Sequence, residues 1–187
     1  IRDSDYLMYC GPGRELTIVS PRRRYENVQV RLPGEHQRRN ACMAIVLAET
    51  ACDALGIELT TETIRRALGG LSWPGRVELF STQPLIVIDA AHNAASAQAL
   101  AQALRETFPG RKAVVLLGIA AHKDAQGVID ALAPLANRFV ATTIASPRSE
   151  SAAGLARRIR SKCDVPVTHK ANRNEALALA QRLAGEG

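Results

Sequence analysis

The 187-residue sequence contains no Gly-x-Gly-x-x-Gly, no Gly-x-x-x-x-Gly-Lys-Ser/Thr and no Gly-x-Ser-x-Gly. These absences remove, in turn, a dinucleotide fingerprint, a phosphate-cradling loop of the chain's own, and a hydrolase nucleophile elbow. Apolar runs are no longer than a strand, so none reads as spanning a bilayer. The chain does not open on a basic stretch followed by an apolar segment and a small-residue cleavage site. It opens on Ile1 rather than Met, so it reads as a piece of something longer. Aromatic residues make up only 4%, which leaves Ala, Leu, Ile and Val to build the core. The four cysteines, Cys10, Cys42, Cys52 and Cys163, include no Cys-x-x-Cys pair and no metal-finger spacing. Cys42 and Cys52 fall on one predicted helix, too far apart for a disulfide, so reduced cytoplasmic thiols are expected. His36, His92, His122 and His169 match no ligand spacing, so no metal site is expected on this chain.

What is present is a basic, mostly aliphatic chain with a net charge of +6. The arginine runs Arg22–Arg24 and Arg157–Arg160 could face nucleic acid, but no aromatic platform or nucleic-acid motif accompanies them. A solvated arginine-rich surface is the simpler reading, and a positive field also suits an acidic small substrate. Neither nucleic acid nor a membrane is expected as partner, and the chain is expected to be a monomer.

Two patterns divide the sequence. Up to about residue 73, turn residues separate the short runs 6–9, 16–19 and 28–32, which read as the tail of an antiparallel meander. A helix follows over about 35–55, with Ala44, Leu47, Ala48, Ala51 and Leu55 as its expected buried stripe and His36 and Asn40 at the upstream end of that stripe. A second helix starts with Thr60 or Thr61 as cap and stops near Gly69-Gly70. Leu71–Gly75 breaks both periodicities and reads as a linker, giving expected units 1–73 and 74–187.

Beyond the linker, a short run at 77–80 precedes strand 85–88. Strands 113–117, 138–143 and 165–168 then alternate with helices near 94–107, 125–134, 150–162 and 173–184. Asn172 and Glu175 have capping-box spacing at the start of the last helix. Continuous apolar strands in strand–helix alternation predict an α/β unit with an open, doubly wound, mostly parallel sheet, here without a final strand.

Ligands of such sheets bind beyond the carboxyl ends of the strands. That rule selects Asp89-Ala90-Ala91-His92-Asn93, Gly118–Asp124 and Ser146-Pro147-Arg148. Asp89 or Asn93 also reads as the cap of the following helix, and Asp124 as the cap of its own. His92 alone would more often be a hydrogen-bonded structural residue.

Leu32-Pro33-Gly34-Glu35-His36-Gln37-Arg38-Arg39-Asn40-Ala41, Trp73-Pro74-Gly75-Arg76-Val77-Glu78, Asp89-Ala90-Ala91-His92-Asn93 and Lys123-Asp124 resemble, in order, the LxGxHQxxNA, WPGRxE, DGAHN and DKD segments of folylpolyglutamate synthases, members of the Mur ligase superfamily. Ala90 stands where that family has Gly, Ala94 where Pro is common, and His122 where DKD begins with Asp. The resemblance implies a Mur ligase C-terminal-like domain preceded by the tail of a P-loop central domain. It implies an ATP-dependent amide ligase that joins glutamate to a folate or dihydropteroate carboxylate through an acyl phosphate. ATP and magnesium are the implied cofactors, with the magnesium ligands and P-loop upstream of this chain. The 187 residues alone are therefore expected to be inactive. His36, Gln37, Asn40, Arg76 and Asp89 are the implied ATP-binding residues. Asn40 would bond adenine, Arg76 the phosphates, and Asp89 the ribose or Arg76. His92 and Lys123 are the implied catalytic and glutamate-binding residues. Arg76 could instead pair at the surface with Glu78. Two rival readings are a cell-wall Mur-type ligase and a non-catalytic domain binding nucleotide or nucleic acid.

Overall fold

The computed structural model describes residues 7–10, 15–20 and 22–185. The chain divides into two compact units, Ile1–Arg76 and Val77–Gly187.

In the first unit, β1 (Leu7–Cys10), β2 (Leu16–Val19) and β3 (Arg24–Val28) form an antiparallel sheet in that order. Tyr6, placed by the sequence at the head of the first strand, lies outside the described residues. β3 is four residues earlier than the expected run 28–32. The Ser20 hydroxyl accepts from the N–H groups of Arg22 and Arg23, so the chain turns there and re-enters the sheet at once. The charged residues Arg22–Arg24 hid that strand start from an apolarity reading.

Helix α1 (Glu35–Ala54) begins after Gly34, whose φ of 99° favours glycine. Its buried residues are Gln37, Ala41, Cys42, Ile45 and Glu49, not the expected Ala44–Leu55 stripe. Leu47 and Leu55 are 59% and 71% exposed. Ile45 and Cys42 pack with Leu16, Ile18, Tyr25, Val28 and Ile64, the last from helix α2 (Thr61–Gly69). Glu49 lies on the buried face because its carboxylate accepts from the Ser20 and Tyr25 hydroxyls, at 2.7 and 2.6 Å. A charged residue in the buried row shifted the apparent apolar stripe to the other side. Thr60 caps α2 by accepting from the Thr63 N–H.

The second unit opens with a hairpin, β4 (Glu78–Thr82) against β5 (Leu85–Ile88), antiparallel around a cis Gln83–Pro84 bond. β5 was expected as the first strand of the parallel sheet, but its described ladder partner is β4. The two-residue connection is too short for anything but a hairpin. The parallel sheet comprises β6 (Ala113–Leu117), β7 (Ala136–Ala141) and β8 (Val167–His169), in that order.

Helices α3 (Ala94–Thr107), α4 (Ala125–Leu132) and α5 (Ala152–Arg160) cover one face. There Ala97, Ala101, Val128, Ile129, Leu155 and Ile159 share a core with Leu117 and Phe139. Helix α6 (Arg173–Gly185) covers the other, packing Ala176 and Ala180 on Val140. Both faces thus carry helices, the arrangement apolar parallel strands require, although Leu116 of β6 stays 37% exposed. Asn93, Asp124 and Ser151 cap α3, α4 and α5. Asn172 accepts from the Asn174 and Glu175 N–H groups, while the Glu175 carboxylate turns to Lys170 at 3.5 Å instead of completing the capping box.

Candidate active site

In the second unit three loops leave the strand ends and are fastened to one another. The loop after β6 and the loop after β7 are joined by backbone bonds. Ala121 donates to the Arg148 carbonyl at 2.8 Å and Glu150 to that of Ile119 at 2.9 Å, around an antiparallel bridge between Ala120 and Ser149. The Ser149 hydroxyl accepts from the Ile144 N–H and donates to the Glu150 carbonyl.

Two glycines let these segments close. A Cβ on Gly118 would stand 3.1 Å from Ile144 Cγ2, and one on Gly127 would stand 2.4 Å from Ala94 Cβ. The second contact draws the start of α3, and with it the loop carrying Asp89 and His92, onto the start of α4.

Both oxygens of Asp89 accept backbone N–H bonds, from Val77 at 2.9 Å and Ala91 at 2.7 Å. Val77 is buried, with φ of 47°, a strained conformation for a β-branched residue. The Asp89 carboxylate therefore anchors a strained residue immediately after Arg76. Arg76 itself is exposed and ends a turn in which its N–H donates to the Trp73 carbonyl.

His92 is exposed, and its Nδ1 lies 3.0 Å from the Ala90 carbonyl. A carbonyl only accepts, so Nδ1 carries a proton, and in the neutral ring Nε2 is the acceptor. Lys123 is half-buried in a turn whose N–H donates to the Ala120 carbonyl. Asp124 is spent on capping, accepting from the Gly127 N–H. His122 is exposed on the same loop.

His36, Gln37 and Asn40 lie in the first unit, in the first two turns of α1. The buried Gln37 amide donates to His36 Nε2 at 3.1 Å and accepts from the Asn40 amide at 3.3 Å. Asn40 is exposed and retains a carbonyl oxygen and one N–H, the pair that an adenine edge requires.

A cavity of about 340 Å³ opens at the carboxyl ends of β7 and β8, between Thr143–Ala145 and Ala171–Asn174. None of the residues singled out for ATP or glutamate lines it. Among the described residues no group of three or more His, Cys, Asp or Glu side chains is placed to hold a metal. An all-protein metal cage is thus lacking among the described residues, whereas magnesium at a nucleotide takes only one or two carboxylates besides the phosphates. Nor, among them, is any helix long and apolar enough to cross a membrane.

Residues 75–187 match the family described as Mur ligase, glutamate ligase domain. The chain belongs to the Mur ligase family. Within that family it is 36% identical over 133 residues to a dihydrofolate synthase/folylpolyglutamate synthase of Mycobacterium tuberculosis, covering 71% of this chain and 27% of the relative. It is 34% identical over 145 residues to a folylpolyglutamate synthase of Lacticaseibacillus casei, covering 77% of this chain and 34% of the relative. The crystal structure of the Mycobacterium tuberculosis folylpolyglutamate synthase with ADP and AMPPCP superposes with a TM-score of 0.85 at 29% identity. That likeness covers 98% of this chain and 42% of the other. This Mur ligase chain therefore spans about a third of the length of the curated relatives it matches. The expected α/β fold with a mainly parallel sheet is the fold found.

Sequence reading named Ser146-Pro147-Arg148 as a polar cluster but gave it no role. The bonds that tie it to the Lys123 loop are between backbones and leave no side-chain pattern. The signal that could have found them is Gly118, directly after the buried Leu117 that ends an apolar strand, where missing volume marks a close approach.

Proposed function

We propose that this chain is the amino-acid-receiving part of an ATP-dependent amide ligase that couples glutamate to the carboxylate of a folate or dihydropteroate. The first unit is then the end of an ATPase central domain. The observation that carries the reading is the close approach of the His92 and Lys123 loops through the Ala94–Gly127 contact, in a chain similar to folylpolyglutamate synthases.

In this reaction the substrate carboxylate attacks the γ-phosphate of ATP and releases ADP, giving an acyl phosphate. The glutamate amine then attacks the acyl carbon; phosphate leaves, and the amine loses a proton as the amide forms. Lys123 holds one glutamate carboxylate through a charge-assisted bond. His92 Nε2, with its free lone pair, accepts the amine proton. Asn40, ordered by Gln37 and His36, binds the adenine edge. Arg76 contacts the phosphates, and Asp89 holds the backbone that follows it. Magnesium, when bound, supplies charge neutralisation at the phosphates; no step here is assigned to it. The enzyme works as a cytoplasmic monomer on small molecules.

The test is phosphate release dependent on ATP, glutamate and dihydropteroate or tetrahydrofolate. It compares the 187-residue chain with the same residues joined to a P-loop unit. Release only by the joined enzyme is expected. Release with a UDP-linked cell-wall precursor in place of the folate, or release by the 187 residues alone, would overturn the reading.

A further inference from the structure

We propose that the free edge of β6 is a slot for one more parallel strand, supplied by the residues that follow Gly187 in the full polypeptide, and that this strand stands between β6 and β5. The inference rests on chain topology and holds whatever ligand the edge loops take.

The strand edges of the second unit are not alike. β8 is only three residues long, and β4 carries Glu78, Ser81 and Thr82. Short or polar strands are what a true sheet edge needs to stay unpaired. β6 has neither protection. It reads Ala113-Val114-Val115-Leu116-Leu117, the continuous apolar run of a strand with a neighbour on each side. Yet among the described strands it pairs with β7 alone. The Leu117 carbonyl accepts from the Thr142 N–H, on the β7 side. Strand alternation therefore turns the backbone groups of Leu116 and Val114 to the open side. β7, with a partner on each side, buries Phe139, Val140 and Ala141 completely, whereas Leu116 of β6 is 37% exposed and Ile88 of β5 40%.

The crossovers show where the added strand comes from. α4 and α5 lie on one face and carry the chain from β6 to β7 to β8. Parallel crossovers share one hand, so a helix on the opposite face carries the chain back the other way. α6 is that helix. It leaves β8 on the opposite face and groups Ala176, Leu179 and Leu183 with Val140 of β7 and Val114 of β6. Its first residues stand at the carboxyl ends of β7 and β8, so it finishes toward their amino ends. A chain continuing from there meets the free edge of β6 at its amino end, which makes the new strand parallel. α3 shares the face of α4 and α5, so by the same rule β5 stands on the far side of β6 from β7. The described partner of β5 is β4, not β6. One inserted strand joins the hairpin and the parallel strands into a single sheet.

The experiment is amide hydrogen exchange, followed by NMR, on the 187-residue chain and on the same chain extended by about 20 residues of its own reading frame. The amides of Val114 and Leu116 should exchange at least about a hundredfold more slowly in the extended chain. Protected amides at Phe139 and Val140 in both chains verify the shared fold. A proline in the middle of the added segment removes a ladder donor and leaves the 187 residues untouched. It should return Leu116 to fast exchange. Equal exchange of Val114 and Leu116 in the two chains, or a reading frame that stops at Gly187, would overturn the proposal. So would protection of Leu116 in the unextended chain that grows with its concentration, because a second copy would then be filling the edge.

Discussion

The two units treat polar side chains in opposite ways. In the first, a carboxylate is taken inside: Glu49 is buried on the same face of α1 as Cys42 and Ile45, and satisfied on one oxygen by the Ser20 and Tyr25 hydroxyls. Its other oxygen has no partner among the described residues. In the second, the core is alanine-rich and apolar, and the polar residues stand at the strand ends, where main-chain bonds do the fastening. A polar group spent on holding a helix to a sheet is unavailable to a ligand. A loop held by its own backbone leaves its side chains free for one.

The largest effect should come from breaking the buried cluster. Glu49→Ala strands the Tyr25 and Ser20 hydroxyls in an apolar core and should destabilise the first unit by about 3 kcal/mol. Glu49→Gln, which can still accept both bonds, should cost far less. Denaturant unfolding of the two variants measures the difference, and equal costs would mean the hydroxyl bonds contribute nothing.

Next is the opposite kind of site. Lys123→Ala in the P-loop-joined enzyme should raise KM for glutamate roughly 30- to 150-fold, with little change for ATP and little loss of stability. Steady-state kinetics checks it; an ATP defect with unchanged glutamate kinetics would assign the loop to the nucleotide instead. Gly127→Ala should destabilise the second unit by about 1–3 kcal/mol, since its Cβ meets Ala94 Cβ and, at 2.5 Å, the Asp124 carboxylate that caps α4. Thermal unfolding reads this directly.

The smallest effect is a pH dependence confined to the first unit. Burial, then the Glu49 hydrogen bond and the nearby Glu49 charge, raise the Tyr25 phenol well above its ordinary value. The folded state therefore holds the phenolic proton more tightly than the unfolded chain. The resulting stability is complete below about pH 10, the ordinary phenol value, and is lost as pH rises toward the folded value. Tyr25→Phe should flatten that alkaline loss while lowering stability at neutral pH by about 1 kcal/mol. Chemical denaturation at pH 8 and pH 10.5 distinguishes the two chains.

Much of the second unit was legible because its helices announce their own starts: Asn93 and Asp124 occupy cap positions that a sequence can show. Thr60 does the same for α2. The buried face of α1 was not legible, because Glu49 reads as solvent-facing until Ser20 and Tyr25 are brought to it from distant strands. The pairing of β5 was misread because an apolar run carries no record of its neighbour. The edge loops were found as polar clusters, but not their mutual fastening, which is made by N–H and C=O groups common to every residue.

The contact between Ala94 and Gly127 bears on how such a sequence can drift. The two positions behave as one shared volume, so enlarging either requires a simultaneous compensation in the other or a displaced helix. Positions 92, 122, 123 and 148 stand on the loops outside that contact. A lineage built on this frame could therefore change its loop side chains one substitution at a time, whereas altering the spacing between the loops would demand coordinated double changes. Paired variation at 94 and 127, against independent variation at 122 and 148, is the pattern this geometry would leave.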